Sequence, residues 1–78
     1  MTRLPSVSSK RIIRVLRKRG FVEAPDRGKG SHRAFTMKDS AGVVRLVIVP
    51  LGRDIPTGTL LAILDQAGLS REEFLSLL

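Results

Sequence analysis

His32 is the single histidine of the chain, and it follows Gly28-Lys29-Gly30-Ser31 and precedes Arg33. An imidazole exchanges protons near neutral pH, so a histidine among small and cationic neighbours is a candidate general base. The plainer alternative is a surface histidine without a role. The glycines before it lack the G-x-x-x-x-G-K-[ST] spacing of a phosphate-binding P-loop. Their expected use is a flexible turn that brings backbone N–H groups and Lys29 close to a phosphate.

Other chemistries are poorly provided for. The chain has no cysteine, which removes disulfides, thiolate metal sites and a thiol nucleophile. Glu23, Asp26, Asp39, Asp54 and Asp65 fall on different expected elements, so no carboxylate cluster of the kind used by two-metal nucleases is visible and no metal or small-molecule cofactor is expected.

The charge is strongly uneven. Residues 1–38 hold eleven Lys and Arg against two acidic residues, a net of +9, and the rest holds three against five, a net of −2. A basic half on so small a protein attracts polyanions, because each neutralised phosphate releases counterions. Nucleic acid is therefore the expected partner. An anionic membrane fits less well, because there is no Trp or Tyr to anchor a basic helix. The three Phe sit where the pattern calls for core, so recognition by shape, phosphate and 2′-OH fits better than base stacking. The start of the chain has no apolar signal region and no run reaches the length of a membrane span, from which a cytoplasmic location is expected.

With 78 residues, 42% apolar and 27% charged, the chain suits one small folded domain around one core. Residues 1–7 read as a flexible tail. A Ser8 or Ser9 cap opens a helix to Arg19, stopped by Gly20. Ile12, Ile13 and Leu16 share one side of it, with Val15 at the flank, and Lys10, Arg11, Arg14, Arg17 and Lys18 share the other. This basic arc is either a phosphate-binding surface or only a solvated face. Phe21–Ala24 and Ser31–Lys38 read as strands separated by a turn-rich stretch, and Asp39–Gly42 reads as a hairpin turn. Val43–Val49 is apolar and β-branched and is expected to lie centrally in the sheet. Thr57 is the expected cap of a helix through Ala67 with an apolar stripe of Leu60, Ile63, Leu64 and Ala67. Ser70 and Glu73 have capping-box spacing for a last helix, Arg71–Leu78. The order α-β-β-β-α-α predicts an α+β sandwich, a three-stranded antiparallel sheet with helices on one face.

Several of these residues resemble a known family, the HicA mRNA interferase toxins of type II toxin–antitoxin systems. The resemblance rests on Gly30-Ser31-His32 with Phe35, on Val49-Pro50 followed by Ile55-Pro56-Thr57-Gly58-Thr59-Leu60, and on Ile63-Leu64-Asp65-Gln66-Ala67-Gly68-Leu69-Ser70. The chain departs at Leu51-Gly52-Arg53, where relatives carry a more polar stretch, and the loop Asp26–Lys29 can differ in length. The resemblance implies a dsRNA-binding-domain-like fold, endoribonuclease activity on mRNA with His32 as the catalytic residue, and a HicB-type antitoxin that covers the active site. Lys10, Arg11, Arg14, Lys18, Lys29, Ser31 and Arg33 are the expected RNA contacts, with Lys29 and Arg33 facing the charge that develops on phosphorus. Two other readings compete: a non-catalytic RNA-binding module of the same fold, and a small domain that binds an acidic protein.

Overall fold

The computed structural model describes residues 3–78; Met1 and Thr2, the start of the expected tail, lie outside them. Helix α1 spans Ser9–Arg19. Ser8 is extended at its N-cap, and the Ser8 hydroxyl accepts from the Arg11 amide at 3.3 Å. Gly20 closes the helix at φ +112°, with its cap amides bonded to the Arg17 and Leu16 carbonyls. Ile12, Ile13, Val15 and Leu16 are buried, whereas Lys10, Arg11, Arg14, Arg17, Lys18 and Arg19 are exposed, so the helix has the two faces its periodicity predicts.

Strands β1 (Val22–Glu23), β2 (His32–Lys38) and β3 (Val44–Pro50) form one antiparallel sheet in the order β1-β2-β3. The central strand is therefore β2, and the expectation of a central β3 is corrected: β3 is an edge. Its apolar run has another cause. Val47 and Val49 enter the core beneath the helices, while Val44, Leu46 and Ile48 alternate onto the opposite face. Sequential pairing follows from short connections. Asp39 shapes the β2–β3 turn, its Oδ1 accepting from the Ala41 and Val43 amides at 3.0 and 2.9 Å. Between β1 and β2 lies a 3₁₀ turn, Pro25–Arg27.

Helix α2 spans Thr57–Ala67 and α3 spans Arg71–Leu77. Thr57 is not the cap of α2. Pro56, at φ −55° and ψ 144°, occupies that position, so α2 starts without a side-chain cap. The expected stripe of Leu60, Ile63, Leu64 and Ala67 is buried in full. The Ser70–Glu73 capping box forms, with Ser70 Oγ accepting from the Glu73 amide and Glu73 Oε1 from the Ser70 amide, both at 3.0 Å. Phe21, Phe35 and Phe74 are fully buried in the single core.

The tail expectation is corrected over its second half. Val7 is buried, its carbonyl accepts from the Ile55 amide at 2.9 Å, and Ser6 Oγ donates to Asp54 Oδ1 at 2.9 Å. An apolar Val7 just before the cap packs under the helix start, which a reading of Pro5 and the serines as loose linker overlooks.

The capping box carries a pH dependence. Hydrogen bonds from Ser70 hold the Glu73 carboxyl below its ordinary range. Its folded pKa is lowered, so its contribution to stability is present above the unfolded carboxylate pKa and is lost as pH falls through the folded value. Melting temperatures should be flat near neutrality and fall in acid, and Glu73→Gln should flatten part of that acid limb. An acid limb unchanged by Glu73→Gln would contradict this.

Candidate functional site

His32 opens β2 opposite Pro50 and is exposed. Its amide donates to the Lys29 carbonyl at 3.0 Å, closing a tight turn over Gly30 and Ser31 in which Gly30 takes φ +58°. Gly28 explains why this loop lies where it does. A Cβ there would stand 2.9 Å from the His32 carbonyl oxygen, 3.1 Å from the Ala34 nitrogen and 3.2 Å from the Arg33 Cα, all of them backbone atoms of β2. Only glycine lets the chain press so closely against the strand. Gly28→Ala should push the loop off β2 at a cost of about 1–3 kcal/mol. The melting temperature should fall, and a melt identical to that of the parent protein would contradict the argument.

The same end of the sheet receives the start of α1. Leu51, just past β3, donates its amide to the Ser31 carbonyl at 2.8 Å. The next residue, Gly52, is stapled to the helix: its carbonyl accepts from the Ser9 amide at 2.9 Å, and its amide donates to Ser9 Oγ at 3.1 Å. The chain from His32 through Pro50, Leu51 and Gly52 to Ser9 therefore places Lys10 and Arg11, in the first turn of α1, at the histidine's end of the molecule. Arg14 follows one turn along. Lys29 and Ser31 flank the histidine in its own turn, and both are exposed. Among the described residues no hydrogen-bond partner engages the His32 ring, and no group of three His, Asp or Glu side chains gathers as a metal-binding set.

Two of the expected contacts lie elsewhere. Lys18 is near the far end of α1, where its Nζ donates to the Leu77 carbonyl at 3.0 Å and ties α1 to α3. Arg33 alternates with His32 along β2 and points to the helix side of the sheet. There its Nε donates to Glu23 Oε2 at 2.8 Å, and its Nη2 bonds the other carboxylate oxygen. Arg17 reaches the same carboxylate at 3.4 Å, and both guanidinium groups lie 5.6 Å from the centre of the Phe35 ring. The Arg33 hydrogen bond is the main reason that the Glu23 carboxyl is held below its ordinary range, and the same bond shifts Arg33 upward. Sequence reasoning does not single out Glu23 or Ser9 as residues that shape the site. Glu23 carries a signal, being one of only two acids in a basic half, but its partner is set by the register that pairs it with Phe35.

The described structure is thus a three-stranded α+β domain that carries an exposed histidine, a glycine turn and the basic start of a helix at one end. A model of the HicA toxin family of bacterial toxin–antitoxin systems matches residues 9–69, and the chain belongs to that family. That stretch contains α1, the whole sheet, α2 and His32. A search of curated proteins gave no match. No helix among the described residues is long and apolar enough to cross a membrane.

Proposed function

We propose that this protein is a metal-independent endoribonuclease, an mRNA interferase that acts in the cytoplasm and is neutralised by a HicB-type antitoxin. The observation that carries the reading is the exposed His32 on a glycine turn, within the stretch that matches a toxin family. In the proposed reaction neutral His32 takes the proton of a ribose 2′-OH. The 2′ oxygen bonds to the adjacent phosphorus, and the bond to the 5′ oxygen of the next nucleotide breaks. The leaving oxygen takes a proton from water, and His32 returns its own to solvent. The products are a 2′,3′-cyclic phosphate and a 5′-OH, and DNA, which lacks the 2′-OH, is inert. General-base help contributes about 10²- to 10⁴-fold. Lys29 is the proposed cation for the charge developing on phosphorus, because Arg33 is already engaged by Glu23 on the other face.

Lys10, Arg11 and Arg14, with Lys29 and Ser31, would hold the RNA backbone, and Lys18 and Arg33 would act at its margin. The test is cleavage of a mixed RNA pool in EDTA, which should proceed unchanged. Loss of activity in chelator, restored by Mg²⁺ or Mn²⁺, would overturn the mechanism. Binding should weaken steeply with salt, and Lys10→Ala with Arg14→Ala should flatten the log–log salt slope by about 0.7–0.9 for each phosphate that is no longer neutralised. A slope unchanged by the double substitution would move the binding surface away from α1.

A further inference from the structure

The outer edge of β3 is open over a short and well-defined stretch. Along β3 the odd-numbered residues turn their backbone groups towards β2, as the bonds of Val43 to Asp39 and Leu51 to Ser31 at its two ends show. The even-numbered residues turn theirs outward. At the end near His32 this outward row offers no open donor: the Ile48 amide donates to Gln66 Oε1 at 3.1 Å, and Pro50 has no N–H. Val44 and Leu46 remain, each with an outward N–H and C=O and no partner among the described residues. Around them the surface is apolar. Val43 and Val44 are 55% and 64% exposed, two of only four large apolar side chains so exposed among the described residues. An unpaired edge with exposed β-branched side chains is a template for one more strand.

The charges around this edge select among strands. Lys38, paired directly with Val44, is exposed and forms no ion pair among the described residues. Arg45 lies on the other face, 3.5 Å from Asp39. A second copy of the chain pairing antiparallel, with Val44 opposite Leu46, would set Arg45 against Arg45 and join two chains of net charge +7. An acidic extended segment meets Lys38 favourably and meets no such repulsion. We infer that the antitoxin partner adds an acidic, alternating strand to the outer edge of β3 at Val44 and Leu46. This rests on the reading that the chain has a HicB-type antitoxin. It places one anchor of the complex at the end of the sheet away from His32, so that holding the toxin and covering its histidine are separable tasks.

The experiment is amide hydrogen exchange, residue by residue, on this chain alone and in its complex with the cognate HicB-type antitoxin. The Val44 and Leu46 amides should exchange at least tenfold more slowly in the complex. A complex that forms and leaves both amides as fast as in the free chain overturns the inference while the proposed function stands. Absence of any complex overturns the inference and the HicB-type partner of the proposed function, and leaves the RNA cleavage to its own test. Protection in the free chain that grows with its concentration assigns the edge to a second copy and also overturns the inference. As a second measurement, Val44→Pro removes one outward N–H and no bond to β2. It should weaken antitoxin binding tenfold or more and leave RNA cleavage by the free chain at the parental rate; parental antitoxin affinity would contradict the strand pairing.

Discussion

Replacing His32 by Ala should reduce RNA cleavage by at least about 10²-fold, the lower bound of general-base catalysis, while the protein folds and binds RNA almost as before. His32 is exposed, its side chain holds nothing else in place, and its backbone bond to Lys29 survives the substitution. Surface changes of this kind shift stability by no more than about 0.5 kcal/mol. Affinity for RNA should persist because the phosphate contacts come from Lys and Arg. His32→Gln keeps a hydrogen-bonding side chain of similar reach but takes up no proton near neutrality, so it should be as inactive as Ala. Substantial cleavage by the Gln variant would mean that His32 positions RNA and that the base lies elsewhere. Unfolding of the Ala variant would make the histidine structural.

The largest expected effect on stability belongs to Phe35→Ala. Phe35 is fully buried at the middle of the central strand, opposite Val47, and two guanidinium groups lie over its ring. Removing a buried phenyl ring costs about 3–5 kcal/mol. A domain of this size has little stability in reserve, with about 5–15 kcal/mol typical of folded domains in general. At roughly 4–8 °C for each kcal/mol, the melting temperature should fall by at least about 12 °C. The Arg17–Glu23–Arg33 cluster rests on the same ring and should loosen with it. A fall of less than about 5 °C in a thermal melt would show that the core closes over the gap.

Most of the fold is legible in the sequence because local rules and burial agree in this chain. The helix α1 carries its apolar stripe, its serine cap and its glycine stop in one short segment, and α3 carries a capping box that forms as its spacing demands. What the sequence hides depends on contacts between distant residues. The edge position of β3 is not readable, because an apolar run looks alike between two strands and beneath a helix. Val7 reads as tail because the backbone bond that ties it down comes from Ile55, far along the chain. In the candidate site, the histidine, the glycine turn and the basic helix can be named from residue types and spacing. That Arg33 faces away from His32 follows from strand alternation and is available in principle. The carboxylate that holds it there is set by pairing register, which no local pattern displays.

The chemistry of the cut ends shows most directly whether His32 is the general base. The parent protein, His32→Ala and His32→Gln are each incubated with a mixed RNA pool in EDTA, and the new termini are mapped. The parent protein should leave 2′,3′-cyclic phosphate and 5′-OH ends, and neither variant should leave new ends above background. Ends bearing 5′-phosphate and 3′-OH, or cyclic ends produced equally well without His32, would contradict that role.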